Sequence, residues 1–214
     1  MENNEEVDGF NPNEVPVLLQ LREDDPLKKD KCELWRKDGS LPCRRMRICI
    51  GDNENSRTML SVLRIVEADA EDFAVLSRVP TSSYRSIRDA SMPINSKNEI
   101  KAMQLLISIV DDYLSRYPTS YKEDFRRLES NELAPFSNER HAVIQIKGEK
   151  EVLLFYKDFA ETSSKIIGLE CSDAEFESTL NDVARSKHAV ISQHCKGVLW
   201  RLRREENTKL KIGS

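Results

Sequence analysis

The sequence predicts a mainly α-helical fold: an irregular bundle of about six to eight helices, with long antiparallel helices towards the C-terminal end and at most one or two short strands. Two features of the composition favour helices. Only 7 glycines and 8 prolines occur in 214 residues, and 33% of the residues are charged while 39% are hydrophobic. The third feature is periodic, because apolar residues recur at three- and four-residue steps over several long stretches.

The same composition restricts the class of protein. A formal net charge of −4 gives no global reason to expect a nucleic-acid or membrane partner. No apolar run approaches the roughly 20 residues of a transmembrane helix, and the acidic N-terminus resembles neither a signal peptide nor an Arg-rich transit peptide. The 5 cysteines are widely spaced and odd in number, which is typical of reduced thiols. We expect an intracellular protein, cytoplasmic or nuclear, and a plastid location stays open.

The first part of the chain contains both strand candidates. Residues 1–14 are acidic and polar and are predicted to be a disordered lead. Residues 15–21, VPVLLQL, are apolar with one proline and are predicted to be an extended segment or edge strand. Asp25 and Pro26 are expected to start a helix. Residues 44–51, RRMRICIG, alternate basic and apolar side chains and form the second strand candidate.

Two helices and a loop are predicted next. Residues 59–66 have apolar spacing suited to a buried helix, and Asp69 with Asp72 resembles a capping arrangement for the helix that follows. Residues 80–95 are rich in Ser, Pro and Arg and are predicted to be a loop. The arginines of this loop could contact an acidic or phosphorylated partner, but a plain surface loop is the simpler interpretation.

The middle of the chain encodes two helices that meet at a corner. Ser96 and Glu99 form a predicted capping box, and a helix of about 20 residues, roughly 30 Å long, is expected after it. Pro118 ends this helix because the residue before a proline is pushed out of the helical region. Ser120 and Glu123 form a second predicted box, so the corner should pack two helices together. The apolar stripe of the first helix comprises Ile100, Met103, Ile107, Val110, Leu114 and Tyr117.

The last part of the chain predicts two long helices joined by a short loop, and therefore antiparallel. The first begins near Ser137. Gly148 lies inside it and predicts either a close backbone approach or a bend, since a mid-helix glycine costs about 1 kcal/mol relative to alanine. The second runs from about Ala174 to Lys209. The predicted buried faces are Val143, Ile144, Ile146, Val152, Leu153, Phe155, Tyr156 and Phe159 on the first helix, and Phe176, Leu180, Val183, Val190, Ile191 and Val198 on the second.

Several reactive side chains have a chemical interpretation and a simpler structural one. His188, His194 and Cys195 could suggest a metal site, but their spacing matches no zinc pattern and a single helix cannot direct all three to one ion. A surface or packing role is the simpler interpretation. The remaining candidate nucleophiles are interpreted as buried structural thiols, since no histidine stands near them in sequence; they are Cys32, Cys43 and Cys49.

Charged runs also have two interpretations. Residues 200–211, WRLRREENTKLK, could bind nucleic acid, but Glu205 and Glu206 interrupt the basic run and a solvated helix face explains it. The adjacent carboxylates Asp111 and Asp112 point about 100° apart on a helix and are not poised as an acid–base couple. The same holds for Glu123 with Asp124, so the corner shows no catalytic constellation.

Four stretches in a fixed order resemble the C-terminal substrate-binding domain of Rubisco large-subunit methyltransferase-type SET proteins. Each stretch alone consists mostly of ordinary helix signals, and their order and spacing make the resemblance specific. It covers about Val15 to about Phe159, and it implies a helical domain at 15–165 followed by a helical extension at 166–214. The stretches are DDPLKKDKCELWRKDG, TMLSVLRIVEADAEDFAVL, NEIKAMQLLISIVDDYLSRYPTSYKED and FSNERHAVIQIKGEKEVL.

The resemblance also implies what is missing. In the family, an upstream SET core binds S-adenosylmethionine with a Gly-rich segment and an Asn-His pair, and a tyrosine stands at the methyl-transfer channel. This sequence has no Asn-His dipeptide, its glycines are scattered, and VDGF at residues 7–10 has no tyrosine. We expect no catalytic residue, no cofactor site and no metal site on this chain, with S-adenosylmethionine bound only by a SET core supplied elsewhere. A truncated domain and a docking module that has lost its enzyme both fit.

The expected function is protein docking for a SET-type protein-lysine or protein-histidine N-methyltransferase, with a protein substrate or the SET core as partner. The alternative is a stand-alone helical scaffold that descends from such a domain and has no role in methylation. The residues nominated for docking are Tyr117, Thr119, Glu123, Asp124, Arg140, Glu149 and Lys150. Arg140, Gly148, Glu149 and Lys150 also have a structural interpretation, in which they brace one helix against another.

Overall fold

A computed structural model of the chain describes residues 15–34, 45–51, 56–78, 92–130 and 132–212. The predicted lead at 1–14, most of the loop predicted at 80–95, and Cys43 lie outside these ranges. Within them the protein is mainly α-helical with one two-stranded sheet, which confirms the predicted fold class. No helix among the described residues is long and apolar enough to cross a membrane.

Both predicted strands form, and they pair with each other. Strand β1 (Val15–Gln20) runs antiparallel to β2 (Arg45–Ile50), with Val15 opposite Ile50. Alternate side chains of β1 are buried, whereas Leu18 faces outward and is 60% exposed. This alternation is expected for a strand that packs on a core with one face.

Helices α1 (Lys28–Leu34), α2 (Ser56–Val66) and α3 (Ala70–Arg78) follow. The predicted capping arrangement before α3 is confirmed. The backbone N–H of Asp69 donates to the carboxylate of Asp72 at 3.0 Å, and the backbone N–H of Asp72 donates to the carboxylate of Asp69 at 3.1 Å. The two side chains therefore satisfy donors that the start of a helix otherwise leaves unpaired.

Helix α4 (Ser96–Ser115) has the predicted length, but the predicted capping box at its start is wrong. Asn95 is the N-cap, and its side chain accepts a hydrogen bond from the backbone N–H of Asn98 at 2.8 Å. Glu99 is buried and accepts two hydrogen bonds from Arg64 of α2, at 2.6 and 2.8 Å. A glutamate three residues after a serine satisfies the local cap pattern, and nothing local reveals a partner 35 residues away.

The corner and the long helix after it are confirmed. Helix α5 (Tyr121–Glu129) has Ser120 as its N-cap, as predicted, and helix α6 (Asn138–Ile167) has Ser137. Each serine side chain accepts a hydrogen bond from a backbone N–H in the first turn of its helix, at 3.2 Å in α5 and 3.1 Å in α6. Serine at this position is favoured for this bond.

Two residues of α6 differ from their predicted surroundings. A Cβ atom added at Gly148 would meet no heavy atom within 4 Å, so the predicted close approach by another backbone is wrong. Ile144 was predicted on the buried face and is 49% exposed. Both residues lie on the side of α6 that borders α5.

The single final helix predicted from Ala174 to Lys209 is broken. Helix α7 (Asp173–Ser186) ends before Lys187, and a continuous helical run begins two residues later. That run consists of α8 (Ala189–His194), a π-helical segment (Cys195–Leu199) and α9 (Trp200–Ile212). Apolar periodicity continues on both sides of the break, so the pattern alone does not reveal it.

One hydrophobic core joins the sheet to helices from both ends of the chain. Ile50 of β2 and Leu153 of α6 are fully buried in it. Phe176 and other residues of the predicted 166–214 extension belong to the same cluster, so this extension packs on the core of the rest. Val190, predicted as buried, is 41% exposed because the helix restarts just before it.

Candidate docking surface

Lys150 of α6 reaches into the corner between α4 and α5 and is buried there. Its ammonium group donates to the carbonyl oxygen of Thr119 at 2.7 Å, to the hydroxyl of Thr119 at 3.0 Å and to the carboxylate of Asp124. The Thr119 hydroxyl in turn donates to the other oxygen of Asp124 at 2.6 Å. An ammonium group has three N–H donors, so every donor of Lys150 is used.

Tyr117 closes the same cluster from the end of α4. Its ring lies under the Lys150 ammonium, with 4.9 Å between the nitrogen and the ring centroid, and its hydroxyl donates to Glu149 at 2.7 Å. Burial raises the pKa of the Tyr117 hydroxyl well above its usual value, and the bond to Glu149 adds to the effect. Tyr117 is therefore a hydrogen-bond donor at neutral pH, and its geometry is fixed from two sides.

We call this set of residues the corner brace: Tyr117, Thr119, Asp124, Glu149 and Lys150. All five were nominated for docking from the sequence. The brace connects α4, α5 and α6, and its Lys150–Asp124 ion pair is buried. Removing one partner of such a pair costs about 3 to 5 kcal/mol, because the other charge is left buried and uncompensated.

The other two nominated residues lie outside the corner brace. Glu123 is exposed on the first turn of α5. Arg140, in the first turn of α6, is half-buried and donates to the carbonyl oxygen of Leu128 at 3.3 Å. Direct contact of the seven residues with a partner stays a prediction. Lys150 and Asp124 are buried and cannot touch a partner directly. They would change the binding of a partner by positioning the exposed residues around them.

A groove lies between α5 and α6, and we call it the α5–α6 groove. Its volume is about 520 Å³, within the range of about 300 to 1,000 Å³ typical of ligand-binding clefts. Phe125 of α5 and Ile144 of α6 face it and are 48% and 49% exposed, and Gly148 adds no side chain. The lining residues are Phe125, Leu128, Glu129, Arg140, Ile144, Gln145, Lys147, Gly148 and Glu151.

The charged side chains of the groove carry two charges of each sign. Lys147 and Glu151 form an ion pair at 2.6 Å, and the hydroxyl of Tyr121 also donates to Glu151, at 2.7 Å. Glu129 and Arg140 have no ion-pair partner in the part of the chain that the structure describes. One end of the groove is thus neutralised internally, while at the end next to the α5–α6 connection the charges of Glu129 and Arg140 are not balanced by an ion pair within the described residues.

Phe136 presents an unusual side chain in that connection. It is 91% exposed and has a φ of 63°, in the left-handed region that phenylalanine rarely adopts. This conformation costs about 1 to 2 kcal/mol in a residue with a side chain. An exposed aromatic ring on a strained backbone is a reason to look for a function.

Sequence reasoning missed the α5–α6 groove, although one signal for it was present. Tyr121, Phe125 and Leu128 of α5 are spaced four and three residues apart, which places them on one face of the helix. No prediction assigned this face a neighbour. This face is only partly covered by α6, because Tyr121 bonds to Glu151 while Phe125 stays exposed.

The histidines and the cysteine considered for a metal do not form a common site in the described residues, where no cluster of at least three His, Cys, Asp or Glu could hold a metal ion. His194 is buried against Phe159, with its Nε2 atom 4.0 Å from Glu99, and burial lowers its pKa to about 4. Cys195 is buried, which raises its pKa to about 11. His188 is exposed and caps α8.

Arg203 of the basic C-terminal run is used in contacts within the protein. The guanidinium of Arg203 lies 4.3 Å from the ring centroid of Phe176 and donates to the carbonyl oxygen of Leu169 at 3.1 Å. The ring of Trp200 stacks on Phe176 at 5.6 Å. These contacts fix α9 on the connection between α6 and α7.

Comparison with known proteins identifies the family. The family model described as Rubisco LSMT substrate-binding matches residues 22–153. This is more than half of the chain, so the protein belongs to the Rubisco LSMT substrate-binding family, as the resemblance indicated. No curated protein sequence matches the chain.

Solved structures of this family share the fold. The structure "Crystal structure of the SET domain of LSMT bound to MeLysine and AdoHcy" matches with a TM-score of 0.58 and 22% identity, over 83% of this chain and 40% of that one. "Structure of Rubisco LSMT bound to AdoMet" matches with a TM-score of 0.57 and 21% identity, over 79% of this chain and 42% of that one. The chain thus spans about 40% of the length of the structures that it matches.

Proposed function

We propose that this domain binds a protein substrate of a SET-type protein N-methyltransferase and holds it for methyl transfer at a SET core. The observation that carries the proposal is the family match over residues 22–153. The domain would contribute binding and orientation, which raise the rate of a reaction by fixing the reacting groups close together, and it would make no bond itself.

The geometry of the corner supports a docking role over a catalytic one. Lys150 is the most buried cation near the candidate surface, and all its donors are used in hydrogen bonds within the protein. The Tyr117 pKa is raised, so hardly any of the phenolate that could act as a base is present at neutral pH. The surface beside these groups, in contrast, exposes apolar side chains, which is typical of a binding site.

We also propose that these 214 residues do not bind S-adenosylmethionine by themselves. The family resemblance places that site in a SET core with an Asn-His pair, and this sequence has none. Equilibrium dialysis of the purified chain against labelled S-adenosylmethionine tests this point. We expect no retained label at micromolar protein, and saturable binding would overturn it.

Substrate docking is tested by capturing binding proteins with the purified domain and mapping methylated residues on them by mass spectrometry. We expect the captured proteins to share a methylated lysine or histidine, and the residue type found assigns the specificity of the enzyme. Captured proteins without methylation in common would instead support the scaffold alternative. A variant with an altered surface, described below, separates specific capture from adventitious binding.

A further inference from the structure

We infer that the α5–α6 groove is the surface that receives the partner, and that it takes one bulky apolar side chain of a polypeptide flanked by charges of both signs. The inference rests on the proposed function, because it names the site at which a protein substrate would dock.

The apolar part of the groove is arranged to receive a side chain. Phe125 and Ile144 project from the two helices and are each about half exposed. Gly148, one turn after Ile144 on α6, also lines the groove and adds no side chain to it, and a Cβ there would have no neighbour within 4 Å. Burying a large apolar side chain between these groups removes apolar surface of both partners from water, which favours binding.

The corner brace makes this surface rigid before a partner arrives. Asp124, bonded to Lys150 of α6, and Phe125 are adjacent on α5, so the ion pair that links the two helices lies beside the residue that lines the groove. A site that is already ordered loses less conformational entropy on binding. The buried residues nominated from the sequence then act as positioning residues for the groove.

The charges of the groove favour a polypeptide as the occupant. Glu129 and Arg140, at the end next to the α5–α6 connection, have no ion-pair partner in the described parts of the chain. A peptide that carries one basic and one acidic residue beside its apolar residue would satisfy both. A phosphate backbone would face Glu129 and Glu151, and a lipid chain would leave Glu129 and Arg140 without a complement.

The test uses short random peptides displayed on phage and selected on the purified wild-type domain. The selected peptides are then measured against two variants. Gly148→Leu fills the groove, whereas Gly197→Leu makes the same change at a second helical glycine that also has no neighbour within 4 Å of its Cβ position. Leucine is a better helix former than glycine, so both variants should fold, and thermal unfolding verifies this.

We expect the selected peptides to share a bulky apolar residue, to bind the Gly197→Leu variant as they bind wild type, and to lose about tenfold or more in affinity for Gly148→Leu. Equal affinity for Gly148→Leu and wild type would overturn the groove while leaving docking elsewhere on the domain intact. A failure to enrich any peptide would contradict both the groove and the proposed docking function. Dimerisation of wild type that Gly148→Leu abolishes would show that the groove binds a second copy, which also overturns the inference.

Discussion

Removal of the Asp124 carboxylate is predicted to leave a buried cation without its counterion. In the variant Asp124→Ala, Lys150 keeps only the two oxygens of Thr119 and the face of the Tyr117 ring. Breaking a buried ion pair from one side costs about 3 to 5 kcal/mol. Since the whole domain is stable by about 5 to 15 kcal/mol, this single change should remove a large part of its stability.

The assay is urea unfolding followed by circular dichroism. With a slope of about 2 kcal/mol per molar urea, the predicted loss lowers the midpoint by roughly 2 M. Glu132→Ala is a matched control, because it removes the exposed partner of Arg126 just after α5 and should leave the midpoint near that of wild type.

A double variant tests the reason for the loss. Replacing Asp124 with Leu and Lys150 with Met removes both charges, so the polar groups that lose their partners in the corner belong to Thr119. We expect the double variant to be more stable than Asp124→Ala, although it carries twice as many changes. A loss below about 1 kcal/mol in Asp124→Ala, or a double variant less stable than the single one, would refute the argument that a desolvated ion pair holds the corner.

Three further predictions concern other parts of the molecule. Burial lowers the pKa of His194 to about 4 in the folded protein against 6.5 in the unfolded chain, so the unfolded chain takes up a proton at a higher pH. The free energy of unfolding should therefore fall by about 3 kcal/mol as the pH drops from about 6.5 to about 4. In urea unfolding, His194→Gln should remove this pH dependence, whereas the exposed control His141→Gln should keep it. Gly148→Ala should raise the free energy of unfolding by about 1 kcal/mol because the added methyl group meets no neighbour, and a loss would mean that the groove is closed in solution. Phe136→Gly should raise stability by up to about 1 kcal/mol by relieving a φ of 63°, whereas a lower melting temperature would show that the exposed ring packs on the free protein.

Local signals explain which parts of the fold could be predicted. Ser120 and Ser137 were identified as helix starts because a capping serine acts on N–H groups within three residues of itself. Each strand was predicted from its own pattern of residues, but the sequence did not indicate that β1 pairs with β2. The Lys187 break was not visible, because the apolar spacing of α7 and α8 is compatible with one uninterrupted helix.

Long-range electrostatics explain what was missed. Glu99 was assigned to a local cap, while its real partner, Arg64, is 35 residues away. Lys150 and Asp124 were nominated for docking, with bracing of one helix against another left open for Lys150, and they meet across 26 residues inside the protein. A sequence gives the charge of a side chain but not the direction in which it points, so buried ion pairs and surface contacts look alike until the helices are packed.

The most direct test of the central claim is a photo-crosslinking measurement at the α5–α6 groove. A photoreactive phenylalanine analogue replaces Phe125 in one sample and Val190 in another, since the two positions have similar exposure, 48% and 41%, on different surfaces. Each sample is irradiated with a peptide selected on the wild-type domain. We expect crosslinks from position 125 and none from position 190; crosslinks from 190 alone, or equally from both, would show that the peptide does not dock in the α5–α6 groove.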